Sequence, residues 1–184
     1  MRVPKAVAAL ALGLLVSTST AYAQGAEFSL GGGIDNPLGD FNNGAKLGFH
    51  GMAGVSFVPE GSPVGIQVDG NYSQFSDDTP ADIKFQMIYG TGNVVYKFKT
   101  SEESRFRPYL IGGGGVYNLK VKGDDVPTGF DDSQTKFGIN AGAGFDFKAG
   151  SAGLFVEGRF HDVFTSGGDT QFIPITVGVR FGGH

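Results

Sequence analysis

The chain has 184 residues, with 32 Gly, 17 Phe and 6 Tyr, neither Cys nor Trp, and a formal charge of −4 at neutral pH. Without cysteine there is no disulfide framework, thiol nucleophile or cysteine metal site, and the acidic balance argues against a nucleic-acid partner. Abundant Gly and aromatics with little helical periodicity point to β structure broken by turns.

Arg2 and Lys5 precede an apolar run over residues 6–16 that is too short to span a bilayer as a helix. Ala21-Tyr22-Ala23 then has the small-x-small form of a signal cleavage site. Residues 1–23 therefore read as a secretory signal. Residues 24–184 form one domain of 161 residues with a formal charge of −6. This part has no apolar run long enough for a transmembrane helix.

The first strand spans residues 26–34, with Phe28, Leu30 and Ile34 on one face and Glu27, Ser29, Gly31 and Gly33 on the other. Residues 35–44, rich in Asn, Pro, Gly and Asp, read as a long loop. The second strand, 46–57, sets Leu47, Phe49, Ala53, Val55 and Phe57 against Gly48, His50, Met52, Gly54 and Ser56. A tight turn over 59–63 leads to the third, 64–75, where Val64, Ile66, Val68 and Tyr72 oppose Gln67, Asp69, Asn71 and Ser73. A polar loop, 76–81, precedes the fourth strand, 83–98, whose greasy phase is Ile88, Val94, Tyr96 and Phe98, with Asn93 and Lys97 opposite. After a charged turn, the fifth strand spans 106–121 and contains the run Gly112-Gly113-Gly114-Gly115. The longest loop, 122–133, is acidic through Asp124, Asp125, Asp131 and Asp132. The sixth strand, 135–147, carries Phe137, Ile139, Ala141, Ala143, Phe145 and Phe147 against Lys136, Asn140 and Asp146. The seventh, 152–164, carries Leu154, Val156 and Phe160 against Glu157, Arg159 and His161. The eighth, 171–181, alternates Ile173, Ile175, Val177, Val179 and Phe181 with Pro174, Thr176, Gly178 and Arg180. Strands of about ten residues suit a tilted crossing of a bilayer's hydrocarbon core.

Connections after the second, fourth and sixth strands are short, and those after the first, third and fifth are longer and acidic. Short periplasmic turns and longer outer loops characterise outer-membrane barrels. The polar phase is mostly Gly, Ser, Asn and Thr, too bland for a solvated surface and suited to a filled interior. The fold class expected is all-β, an eight-stranded antiparallel up-and-down transmembrane barrel. Phe28, Phe57, Tyr96, Phe98, Phe145, Phe147 and Phe181 fall at one interface, and Tyr72, Phe137 and Phe160 at the other.

Together with the signal and the strand count, three stretches carry a family resemblance. They are Pro108-Tyr109-Leu110-Ile111-Gly112-Gly113-Gly114-Gly115, Phe155-Val156-Glu157-Gly158-Arg159-Phe160 and Thr176-Val177-Gly178-Val179-Arg180-Phe181. The chain resembles the small eight-stranded bacterial outer-membrane β-barrels: the outer-membrane protein A barrel domain, outer-membrane protein X and the opacity-type proteins. The resemblance implies an outer-membrane location and recognition of the C-terminal strand by the barrel-assembly machinery. Its usual final aromatic is displaced here, since Gly182-Gly183-His184 follow Phe181.

Some barrels of this kind modify lipid A, using a His and a Ser on the outward face. Here His50 and His161 lie in the inward phase with no clear Ser beside them, so hydrogen-bonded interior histidines are expected instead. The glycine runs lack the Gly-Lys-Ser/Thr and following helix of a phosphate loop. The loop aspartates lack calcium-loop spacing, which leaves weak Ca²⁺ or Mg²⁺ bridging to lipopolysaccharide. The sequence reading is thus a non-enzymatic barrel with no cofactor and a structural or surface-interaction role. Its alternatives are a narrow channel or a lipid A-modifying enzyme. Outer-membrane lipid and lipopolysaccharide are its partners. Inside, Arg180 is expected to be the hub of an ion network with Glu27, Glu157 and Asp146, with Arg159 nearby, plugging the periplasmic half.

Overall fold

The computed structural model describes residues 25–43, 45–76, 84–101, 104–122, 134–149, 152–165 and 169–182. The expected signal at 1–23 and the acidic-loop residues Asp124, Asp125, Asp131 and Asp132 lie outside them. Eight strands form a closed antiparallel barrel in sequence order: β1 (Ala26–Leu38), β2 (Gly48–Phe57), β3 (Val64–Ser76), β4 (Lys84–Lys97), β5 (Phe106–Lys122), β6 (Gln134–Ala149), β7 (Ala152–Val163) and β8 (Thr170–Gly182). β8 closes on β1, with Phe28 opposite Phe181 and Ile34 opposite Ile175.

Closure follows from the medium. A strand in lipid has no water for its backbone amides, so each edge must be paired, and a barrel removes the edges. The outward phase is apolar on every strand, including Leu30, Ile66, Val94, Leu110, Ile139, Leu154 and Val177, all exposed. Aromatics mark both ends of this band. At the end holding the termini, Phe106 packs on Phe145 and Phe147 with ring centroids 4.7 and 5.2 Å apart, and Tyr96 packs on Phe98 at 5.1 Å. At the other end Phe49, Tyr72, Phe137 and Phe160 point outward.

β1 is longer than the sequence suggests. Asp35, Asn36 and Pro37 carry turn composition, yet the strand continues to Leu38 and ends in one 3-10 turn, Gly39–Asn43. The reason is pairing on one side only. β1 stops pairing with β2 at Asp35–Gly48, while its ladder with β8 runs on to Leu38–Gln171. A proline is tolerated on such a one-sided stretch, where fewer ladder donors are needed, and Asp35 is turned fully inward.

The interior is not uniformly polar. Near the termini it is charged and amide-rich, as the bland inward phase suggests. Towards the other mouth it is aromatic: Phe75, Tyr89, Tyr117 and Phe172 are buried together with Met87 and Val163. Tyr89 stacks on Tyr117 at 4.9 Å and His161 on Phe172 at 4.8 Å. These aromatics sit in the polar phase of their strands, so alternation hides them.

A closed barrel of this kind is expected to resist SDS at room temperature and to migrate differently once boiled. Equal mobility before and after boiling, with recovery in the soluble periplasm, would contradict the fold.

Candidate functional site: the sealed interior

The lumen holds a chain of charged and polar side chains drawn from all eight strands. At the terminal end, Lys97 Nζ on β4 lies 2.6 Å from Glu27 Oε2 on β1 and 3.4 Å from Asp146 Oδ2 on β6. Ser56 on β2 donates to the same Glu27 carboxylate at 3.2 Å. The other oxygen of Asp146 meets Arg180 Nη1 on β8 at 2.5 Å. Arg180 Nη2 donates to the Tyr109 hydroxyl on β5 at 3.1 Å, and that hydroxyl donates to Glu157 Oε2 on β7 at 2.8 Å. Glu157 Oε1 accepts from Arg159 Nε at 2.5 Å, and Arg159 Nη1 reaches Asp69 Oδ2 on β3 at 2.7 Å. Asp69 also accepts from Gln67 at 2.8 Å and Asn93 at 3.0 Å, and Asn140 donates to Asn93 at 2.9 Å.

Arg180 therefore engages Asp146 directly but touches neither Glu27 nor Glu157. Lys97 and Asp146 link it to the first, and Tyr109 to the second. Its guanidinium also lies 4.8 Å from the Tyr109 ring centroid and 4.7 Å from that of Phe155, a cation–π arrangement favoured when desolvated. Lys97, Tyr109 and Asp69 complete a network the sequence reading centred on Arg180. Charged groups taken out of water cost several kcal/mol each unless paired, so these contacts are what lets the charges reside in the lumen.

Two consequences are measurable. Arg180→Ala leaves Asp146 still facing Lys97, and Glu157 still bonded to Tyr109 and Arg159. It should cost about 2–3 kcal/mol in urea unfolding from lipid vesicles. Tyr109→Phe removes the hydroxyl that joins the two halves of the network and should cost about 1–3 kcal/mol, because Glu157 Oε2 loses its donor. A loss below about 0.5 kcal/mol in both would mean the chain is not continuous.

Higher in the lumen, His50 Nε2 lies 2.9 Å from Thr176 Oγ1, and its Nδ1 lies 2.8 Å from Asp35 Oδ1. The second contact is close but poorly aligned for a hydrogen bond. Thr176, His50 and Asp35 are the residue types of a hydroxyl nucleophile, base and orienting carboxylate. All three are buried, so this set has no opening to a substrate; it ties β1, β2 and β8 across the closing seam. His161 Nδ1 is bonded to the Tyr117 hydroxyl at 2.8 Å. Both described histidines thus point into the barrel, away from lipid. Among the described residues no group of three His or acidic side chains is placed to hold a metal ion.

A closed eight-stranded barrel with an apolar outer band and a packed, charge-paired lumen is an integral outer-membrane protein. Residues 7–181 match the family described as outer membrane protein beta-barrel domain, and the chain belongs to that family, whose place is the bacterial outer membrane. No curated protein sequence matches it. Several solved structures share its fold. Neisserial surface protein A is 17% identical at a TM-score of 0.68, with 86% of this chain and 97% of that chain covered. Ail, the attachment invasion locus protein of Yersinia pestis, is 16% identical at 0.55, with 86% and 99% covered. The outer membrane enzyme PagL is 16% identical at 0.51, with 85% and 99% covered. At such identities the likeness concerns the fold alone.

Proposed function

We propose that this protein is a non-enzymatic outer-membrane barrel with a structural or surface-interaction, adhesin-like role. One observation carries the reading: the charged chain from Glu27 to Asp69 and the aromatic cluster above it fill the lumen. Eight strands enclose a space that side chains just fill, which supports a plug over a channel. The inward burial of His50 and His161 argues against a lipid-facing catalytic pair of the kind lipid A modification needs. The shared fold with Ail, named for attachment and invasion, agrees with a surface role.

In this reading the signal is cut after Ala23 and both termini lie in the periplasm. The long connections, with Asp124, Asp125, Asp131 and Asp132, face outward beside lipopolysaccharide, where divalent cations bridge weakly. The assembly machinery reads the C-terminal strand, which carries the outward Phe181 one residue before its end.

Two readouts on one strain test it. Protease added to intact cells should clip the 123–133 loop and abolish adherence to host matrix while sparing the barrel. The lipid A mass spectrum of cells expressing the protein should equal that of cells lacking it. Loss of an acyl chain from lipid A would replace this reading with an enzymatic one. Clipping only after the outer membrane is broken would invert the topology.

A further inference from the structure

On the outer side of the barrel, an open groove of about 600 Å³ crosses β1–β4 within the apolar band. Its floor is Gly51, Ala53 and Gly70, and its walls are Leu30, Tyr72 and Ile88. Strand pairing explains the shape. Ala53 stands between Leu30 and Gly70, and Tyr72 stands between Gly51 and Ile88. A Cβ at Gly51 or Gly70 would meet nothing within 4 Å. Packing of the barrel therefore does not demand glycine at either place, and the missing side chains keep the groove open. One outward row nearer the loop end, Gln74 is paired with Phe49 and Gln86. The Tyr72 hydroxyl donates to Gln74 Oε1 at 3.0 Å, and Gln86 Nε2 donates to the same oxygen at 3.2 Å. One outward row below the floor, nearer the termini, Val55 is paired with Val68 and closes the groove.

We propose that this groove seats one amide-linked acyl chain of an N-acylated amino-sugar lipid, the lipid A of the outer leaflet, with the amide on Gln74 and Gln86. Three features select that occupant. The groove is continuous with the lipid-facing band, so what fills it is a hydrocarbon chain, and small floor residues let that chain lie close against the strands. Its length fits one leaflet. Six residues separate Gln74 from Val68, about 20 Å along a strand tilted by about 45°, which is close to half of a core about 30 Å thick. The polar end selects the linkage. With Gln74 Oε1 occupied, Gln74 Nε2 is left to donate and Gln86 Oε1 to accept. An amide offers both a carbonyl and an N–H, whereas the ester oxygens at the top of a phospholipid chain only accept and would leave Gln86 Oε1 without a donor. The inference rests on the topology proposed above, which places the loop end in the outer leaflet, but not on an adhesive role.

The glutamines provide the test. Refolded protein labelled with 15N-glutamine, in phosphatidylcholine nanodiscs, is titrated with lipid A. The side-chain amides of Gln74 and Gln86 should shift saturably. Gln67, buried in the lumen, and Gln171, on β8 outside the groove, should stay. Phosphatidylglycerol, anionic but ester-linked, should move none of them at the same mole fraction. Gly70→Leu, which fills the floor, should weaken lipid A by at least about tenfold. Gln74→Leu, read on the Gln86 amide, should weaken it about two- to tenfold. Both variants place an apolar side chain on the lipid side, and both should keep the heat-dependent gel shift. Lipid A reaches both faces of a disc, so the titration reports on the groove whichever way the barrel lies in the cell, and an inverted topology appears in the protease assay instead. Gln74 and Gln86 amides that stay put, or that respond equally to phosphatidylglycerol, overturn the inference. So does a Gln171 shift equal to theirs, or a Gly70→Leu barrel that responds like the parent, since the contact would then be with the general lipid annulus.

Discussion

Arg159→Met should destabilise the barrel by about 3–5 kcal/mol in urea unfolding from lipid vesicles, one of the two largest effects expected of a single substitution. Arg159 is buried at mid-height and is held between Glu157 and Asp69. Removing its charge leaves two buried carboxylates without their cation, and unpaired buried charge is the costly half of an ion pair. The loss should exceed that of Arg180→Ala, because Asp146 is partly exposed and keeps Lys97. A triple variant, Asp69→Asn with Glu157→Gln and Arg159→Met, should recover much of the stability, since removing partners together strands no charge. If the triple variant is no more stable than Arg159→Met alone, the cost lies in packing and not in charge.

The second large effect is at the closing seam. A Cβ at Gly33 would run into the carbonyl oxygen of Ile175 on β8 and lie 3.1 Å from the His50 ring. The obstacle is backbone, so no rotamer relieves it, and a branched side chain has to push β8 away from β1. Parting this pair exposes unpaired amides to lipid at several kcal/mol each. Gly33→Val should therefore yield no heat-modifiable band. Gly51 is the matched control. It sits on the outward face with open space around its Cβ position, and Gly51→Ala should fold like the parent. A folded Gly33→Val barrel would show that the seam is looser than the close approach implies.

The outward half of this molecule was legible because lipid imposes a simple rule: every second residue is apolar, and the period holds from Phe28 to Phe181. Strand number follows from the same pattern. The lumen was legible only as a set of side chains. Glu27, Asp146, Glu157, Arg159 and Arg180 stand out as charges in the inward phase, but their partners do not follow from ladder neighbours. In a narrow barrel inward side chains converge on the axis, so contacts form across it: Glu27 on β1 reaches Lys97 on β4, and Asp69 on β3 reaches Arg159 on β7. Reasoning from adjacent strands placed Arg180 beside Glu27 and Glu157, whereas its partners come from β5 and β6.

The inward aromatics were hidden for a related reason. Tyr89 follows Ile88, and Tyr117 follows Val116, so both phases are apolar there and alternation blurs. Such paired apolar residues near the loop end are the signal that locates the aromatic cluster. Asp35 and Pro37 misled in the other direction. Turn composition marks a turn only where the chain is free to leave the sheet, and β8 still holds β1 at those positions.

Single-channel recording with purified protein in a planar bilayer tests the central claim most directly. A lumen closed by paired charges below and stacked rings above should give a flat trace at voltages the bilayer itself withstands. Reproducible conductance steps from the folded, heat-modifiable protein would contradict it, and would mean that the chain from Glu27 to Asp69 lines a path for ions.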